Sequence, residues 1–299
     1  MKKVIILLLI VISAWAAYAQ HAPLYSQYMF NGLVINPAFA FGEDGLTTIL
    51  DYKKQWVGNI EGAPSTLTGT VYSSTRKEKM GVGIIYQNDQ IGIKNQHDLA
   101  ANFAYRINTG KGQLGLGISG GFASLKYNQS KIITNDDNDP VFDNIGQTQY
   151  RPKIGFGFYF HNPVFFAGIA IPQWLIGNAI SGNNNIMDRT MHINAGYNYS
   201  AKENLILTPS TLLRIVNGSP LLIDFNLTAT LNKTITAGVS YRMYNALVLL
   251  GQYNWRNLSV GYAFDFSNQK IKTYTHGSHE IMIKYHLKYA VNVPDPKSF

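Results

Sequence analysis

The sequence predicts an all-β fold: a transmembrane antiparallel β-barrel of about 14 strands, with an N-terminal segment that lies in the periplasm or plugs the barrel. Three observations carry this. Apolar and polar residues alternate with a period of two along most of the chain, formal charges inside those stretches fall on the polar parity, and connections alternate between short and long.

The first element is an export signal. Lys2 and Lys3 precede an apolar run from Val4 to Trp15, and Ala17 and Ala19 flank Tyr18, so residues 1–19 read as a cleaved signal ending at Ala19. The apolar run is shorter than the roughly 18 to 20 residues of a spanning helix. The chain has no cysteine, hence no disulfide framework, no thiolate metal site and no lipid-attachment cysteine.

Composition narrows the class further. Only 14% of residues are charged, 13% are aromatic, and there are 19 tyrosines and 27 glycines. A water-soluble domain carries nearer a quarter charged residues, so part of this surface faces something other than water. The net charge of +8, which falls by two without Lys2 and Lys3, suits anionic lipid or acidic protein surfaces. Nucleic acid is excluded as a partner for an exported chain.

Residues 20–45 come next, and "HAPLYSQYMFNGLVINPAFAF" (His21 to Phe41) shows neither a helical stripe nor alternation. Its aromatic density points to packing: Tyr25, Tyr28, Phe30 and Phe39 against the periplasmic mouth or in the lumen, Asn31 and Asn36 in turn hydrogen bonds, Pro37 fixing a bend. Ser26 and Gln27 complete the candidate plug or docking set. The alternative is a loose terminus.

Strands follow near 46–56, 66–75, 80–88, 97–107, 113–127, 150–160, 164–171, 190–200, 204–216, 220–231, 234–243, 247–255, 258–267 and 278–289. "PLLIDFNLTATLN" shows the pattern, with Leu221, Ile223, Phe225, Leu227, Ala229 and Leu231 apolar and Asp224, Asn226, Thr228, Thr230 and Asn232 polar. A soluble sandwich would have shorter strands and a face rich in Lys and Glu. Here the polar face is mostly small residues, which suit a crowded or water-filled lumen. Asp51, Lys53, Asp98, Arg106, Lys153, Arg214, Asp224, Arg242, Asp265, Glu280, Lys284 and Lys288 share that parity. On the lipid side an Arg or Lys costs about 2 to 4 kcal/mol at mid-depth, so register is strongly specified.

With both termini in the periplasm, the inner turns (76–79, 108–112, 161–163, 201–203, 232–233 and 256–257) are all short, and the outer set includes the long connections 128–149 and 172–189. The barrel domain spans 46–289 and a tail spans 290–299.

Chemical motifs have structural explanations. "GLGISG" (Gly115 to Gly120) has dinucleotide-site spacing but no helix follows, so it reads as a small-residue lumen face. "NDDNDPVFDN" (Asn135 to Asn144) lacks the turn glycine and distal glutamate of a calcium loop. No Ser-His-acid spacing stands out among seven histidines, so no catalytic residue, metal or cofactor is assigned. Trp56, Trp174, Trp255, Tyr262, Tyr285 and Tyr289 suit interfacial girdles.

Ser26, Gln27, Tyr28, Asn31, Asn36, Pro37 and Ala38, within "LYSQYMFNGLVINPAFA", resemble the N-terminal motif of the PorP/SprF family of Bacteroidota outer-membrane proteins. Gln55, Trp56, Gly62, Ala63 and Pro64, near the first barrel strand, resemble a second family motif, and Asp89, Gly92 and "NDPVF" (Asn138 to Phe142) two more. The resemblance spans most of the chain. It departs at Lys53 and Lys54, where an arginine is usual, and at Phe41, where a small residue is usual.

The resemblance implies an outer-membrane, non-catalytic component of type IX secretion, a system that sometimes also powers gliding. It would dock periplasmic ring proteins, other translocon parts, or the C-terminal domain of a secreted adhesin. The residues alone leave a second class open, a channel for small or apolar solutes.

Overall fold

The computed structural model describes residues 23–42, 44–74, 79–128, 147–176, 189–216 and 219–288. The expected signal at 1–19, the acidic run Asn135–Asn144 with its Asn138–Phe142 element, Tyr289 and the expected tail at 290–299 lie outside the described residues.

The strands are β1 (Gly45–Lys54), β2 (Ser65–Ser74), β3 (Met80–Ile91), β4 (Lys94–Asn108), β5 (Gln113–Tyr127), β6 (Gln149–His161), β7 (Phe165–Leu175), β8 (Arg189–Tyr197), β9 (Tyr199–Lys202), β10 (Leu205–Val216), β11 (Leu222–Leu231), β12 (Ile235–Arg242), β13 (Ala246–Trp255), β14 (Leu258–Ser267) and β15 (Ser278–Leu287). Sequential neighbours pair antiparallel, and β1 pairs with both β2 and β15, which closes the sheet. β8 and β9 flank Asn198 and both pair with β10, so they form one stave of a 14-strand barrel.

The alternation read from the sequence becomes an inside and an outside. In β1, Thr47, Ile49, Asp51 and Lys53 are buried in the lumen while Thr48, Leu50 and Tyr52 are exposed. The exposed face is apolar: Ile118 is 62% accessible, whereas Lys53 and Arg242 are each 1% accessible. Large aliphatics outside and ionic groups inside reverse the order of a water-soluble fold, and hydrocarbon is the surrounding that makes the arrangement favourable.

We call the end where β1 starts and β15 stops the terminal end, and the opposite one the distal end. Terminal-end turns are short, at 109–112, 162–164, 203–204, 232–234 and 256–257. Some strands run further than their expected limits. β3 continues to Ile91, β4 begins at Lys94, and a tight turn at Gly92 (φ 57°) joins them. β7 continues to Leu175, past the expected end at 171. The register slips between Ala170 and Gln173, so Pro172 sits in a bulge, where its missing N–H costs no ladder hydrogen bond. β15 stops at Leu287, leaving Lys288 exposed on the rim rather than on a strand face.

Candidate functional site

The lumen is occupied by the chain's own leader, residues 23–42. A peptide inside a barrel must satisfy its backbone polar groups locally or on the wall. The leader does both. Turn hydrogen bonds run from Phe30 N to Gln27 O (2.9 Å) and from Asn31 N to Tyr28 O (3.2 Å), and short 3-10 turns follow at Gly32–Val34 and Pro37–Phe41. Pro37 opens the second turn, where its fixed φ is compatible, and the Asn36 side chain accepts from Ala38 N at 2.9 Å. Asn31 caps nothing with its side chain; its Oδ1 accepts from the Thr70 hydroxyl at 3.3 Å.

In the distal half the wall is ionic. Glu280 accepts the backbone N–H groups of Ser26 and Gln27, each at 2.7 Å. Lys53 Nζ lies 2.7 Å from Asp265 Oδ2 and 3.2 Å from Glu280 Oε2, and also donates to the Ser26 hydroxyl. That hydroxyl donates to Asp265 Oδ1 at 2.7 Å. Arg242 donates to the Tyr25 carbonyl at 3.0 Å and to Asp224 at 3.2 Å, and Arg214 pairs with the same aspartate. The Tyr25 phenol donates to Gln87 Oε1 at 2.6 Å, and Tyr28 OH accepts from Asn226 at 2.7 Å. His192 bonds the Ile35 carbonyl at 3.1 Å.

Toward the terminal end the contact is apolar. Leu33, Ala38, Ala40 and Phe41 pack with Ile49, Tyr72, Ala104, Tyr159 and Met282, and Phe39 meets the Tyr159 ring at a centroid distance of 5.4 Å. A second apolar contact lies in the distal half beside the ionic cluster, where Met29 and Phe30 pack on Ala246, Val248, Leu250 and Ala263. Glycines on the wall make room. A methyl group at Gly115 would overlap the Phe41 ring, one at Gly117 the backbone of Pro37 and Ala38, and one at Gly157 the Asn36 side chain. Gly120, at the end of the same "GLGISG" stretch, faces outward with nothing within 4 Å of its would-be Cβ.

Below the leader, at the terminal mouth, lies a recess of about 670 Å³ lined by Asp44, Arg106, Asn108, Gln113, His161 and Asn162. Arg106 and Asp44 are 3.6 Å apart at its wall. Lys284 is half-buried on β15.

The second motif sits at the opposite end and has a scaffolding geometry. Gln55 N donates to Pro64 O at 2.9 Å, and Trp56 N to the Ser278 hydroxyl at 3.1 Å. Val57 and the β14–β15 loop exchange backbone bonds, Val57 N to Gly277 O at 2.8 Å and His276 N to Val57 O at 2.6 Å. Gly62 has φ 72° and would carry a Cβ 2.8 Å from Gly92 Cα, a close approach open only to glycine. Lys54 Nζ reaches the Ala63 carbonyl at 3.0 Å.

Sequence reading placed Lys53 and Glu280 on the lumen parity without revealing their common partner, Ser26. A readable signal was β13, "ALVLLGQYNW", which is apolar on both parities in its first half. One side meets lipid; the other meets Met29 and Phe30.

Comparisons place this geometry in a known group. No curated protein matches the chain significantly. Among solved structures the chain resembles the CymD monoaromatic hydrocarbon channel, with a TM-score of 0.56 at 12% identity, covering 87% of this chain and 92% of that one. It also resembles the Ralstonia pickettii toluene transporter TbuX, with a TM-score of 0.53 at 11% identity, covering 86% and 93%. At such identities the likeness shows the barrel fold alone. A family model described as "Type IX secretion system membrane protein PorP/SprF" matches residues 17–285. The chain therefore belongs to the PorP/SprF family of type IX secretion system membrane proteins, and is an outer-membrane β-barrel of that family.

Proposed function

We propose that the chain is a non-catalytic docking barrel. Its terminal end faces the periplasm, and it holds ring components, other translocon parts or the C-terminal domain of a secreted protein at the membrane. The observation supporting docking over conduction is the leader in the lumen: Tyr25, Ser26, Gln27, Tyr28, Phe30, Asn31, Asn36 and Pro37 occupy the volume a solute path would need. On this reading those residues act as the plug. The terminal recess beside Asp44 and Arg106 offers a partner a polar foothold.

The second reading is a channel for small or apolar solutes. The hydrocarbon-channel fold of the structural neighbours favours it. Planar-bilayer recording with co-purification separates the two. Docking requires wild type to pass no solute-dependent current, a variant lacking residues 21–41 to conduct, and tagged wild type to recover secretion components. Solute-dependent current through wild type without such partners would establish the channel instead.

A further inference from the structure

The terminal rim carries basic residues in positions that chain geometry would assign to glycine. Lys233 (φ 57°) and Arg256 (φ 54°) sit in tight hairpin turns, and Lys79 (φ 54°) precedes β3, which follows β15 round the ring after β1 and β2. Left-handed backbone is unfavourable for residues with a Cβ, and hairpin turns of this kind favour Gly, Asn or Asp. Lys202 and Lys288 extend the series, and all five are exposed. The acids at this end among the described residues are Glu203, which is exposed, and Asp44, which faces Arg106 at the mouth.

These bases form an ordered array. Asn232 N bonds Asn204 O (2.8 Å), Asn254 N bonds Thr234 O (2.7 Å) and His286 N bonds Asn257 O (2.8 Å), so backbone hydrogen bonds stitch neighbouring turns into one rim. Adjacent hairpin turns are separated by two strand spacings, roughly 10 Å. Arg256 lies 5.5 Å over the ring of Trp255, which is on the lipid face. Tyr253, Tyr199, Tyr285 and Tyr105 stand exposed within three positions of Lys233, Lys202, Lys288 and Lys79 respectively, in sequence or from their ladder partners. Outward aromatics mark headgroup depth, so the bases stand at the level of lipid phosphates. Lys270 and Lys272 at the distal end are exposed too, but neither takes a left-handed conformation.

We infer that the terminal rim, through Lys202, Lys233, Arg256 and Lys288 and, next round the ring, Lys79, is a binding collar for anionic phospholipid headgroups. The hairpins after β9, β11 and β13 each contribute one cation at phosphate depth, with an exposed aromatic residue close by to hold the adjacent headgroup region.

The test uses the mature full-length barrel in nanodiscs of phosphatidylcholine with or without phosphatidylglycerol. Native mass spectrometry reads retained lipid and thermal unfolding reads stability. Wild type should retain phosphatidylglycerol several-fold over phosphatidylcholine and melt higher when it is present. The variant Lys233→Gly with Arg256→Gly should melt at or above wild type in pure phosphatidylcholine, because the turns relax, yet bind the two lipids nearly equally. Lys202→Gln with Lys288→Gln, which leaves those turns untouched, should lose part of the preference. Equal retention of both lipids by wild type, or full selectivity in either variant, overturns the proposal. So does a wild type that ignores phosphatidylglycerol but binds polyglutamate, because the rim would then be reading an acidic polypeptide.

Discussion

Glu280 Oε2 lies 2.7 Å from Ser26 N, so the last barrel strand grips the leader by a charged acceptor on a backbone donor. Bonds of this kind are about twice as strong as neutral ones and depend little on which side chain the leader carries there. The same carboxylate holds Gln27 N and stands 3.2 Å from Lys53. Glu280→Gln should therefore loosen the leader's distal half while leaving the strand ladder intact. Hydrogen exchange at the Ser26 and Gln27 amides should accelerate at least tenfold, for about 1.4 kcal/mol or more of lost local stability. Unchanged exchange would mean that packing alone retains the leader.

The terminal half of the leader depends on shape instead. Gly115→Leu would drive a side chain into the Phe41 ring, and Gly117→Val would meet the Pro37–Ala38 backbone. Overpacking of this type costs about 1 to 3 kcal/mol. Gly120→Ala, three strand positions beyond Gly117 and on the lipid side, should change stability by less than about 0.5 kcal/mol. Chemical unfolding of the three variants in detergent micelles gives the ranking; equal effects at all three would refute the glycine cradle.

Asp224 is shared by two guanidinium groups, those of Arg214 and Arg242. Removing it takes the carboxylate from Arg214 and leaves Arg242 with Asp265 alone at 3.5 Å, so two buried cations are short of counter-charge, and breaking a buried pair from one side costs about 3 to 5 kcal/mol. Asp224→Asn should thus be more damaging than Asp224→Asn combined with Arg214→Met, which removes one of the stranded charges. A double-mutant cycle by equilibrium unfolding measures this; a double variant weaker than the single would show that the two sites are not coupled.

The barrel was legible because its two faces meet different media, and each strand states that contrast residue by residue. β11 and β14 could be read directly. The leader's path was not legible, because its contacts are non-periodic: Ser26 meets strands more than 200 positions away, at Asp265 and Glu280. The lumen glycines signalled crowding without naming what crowds them. Pro172 misled in the other direction, since proline ordinarily ends a strand and here occupies a bulge within β7. Lys53 and Phe41, the departures from the family pattern, are both central to the leader's contacts, Lys53 in the ionic cluster and Phe41 over Gly115.

Lipid contact itself is open to a depth test. Leu249 lies mid-strand in β13 with 48% exposure, and Leu231 ends β11 at the terminal rim with 42%. Their accessible fractions are nearly equal, so in water an arginine at either place would cost a similar, small amount. In a bilayer the costs diverge, at about 2 to 4 kcal/mol near the midplane and about 0 to 1 kcal/mol near the interface. Leu249→Arg should therefore destabilise refolding into phosphatidylcholine vesicles by at least 1 kcal/mol more than Leu231→Arg, a difference of about fivefold or more in the folding constant. The rim position is favoured further because an arginine there reaches the headgroups without carrying its charge through hydrocarbon. Equal costs at the two positions would place the apolar face in a uniform medium, and the inside-out distribution of charge would then lack its cause.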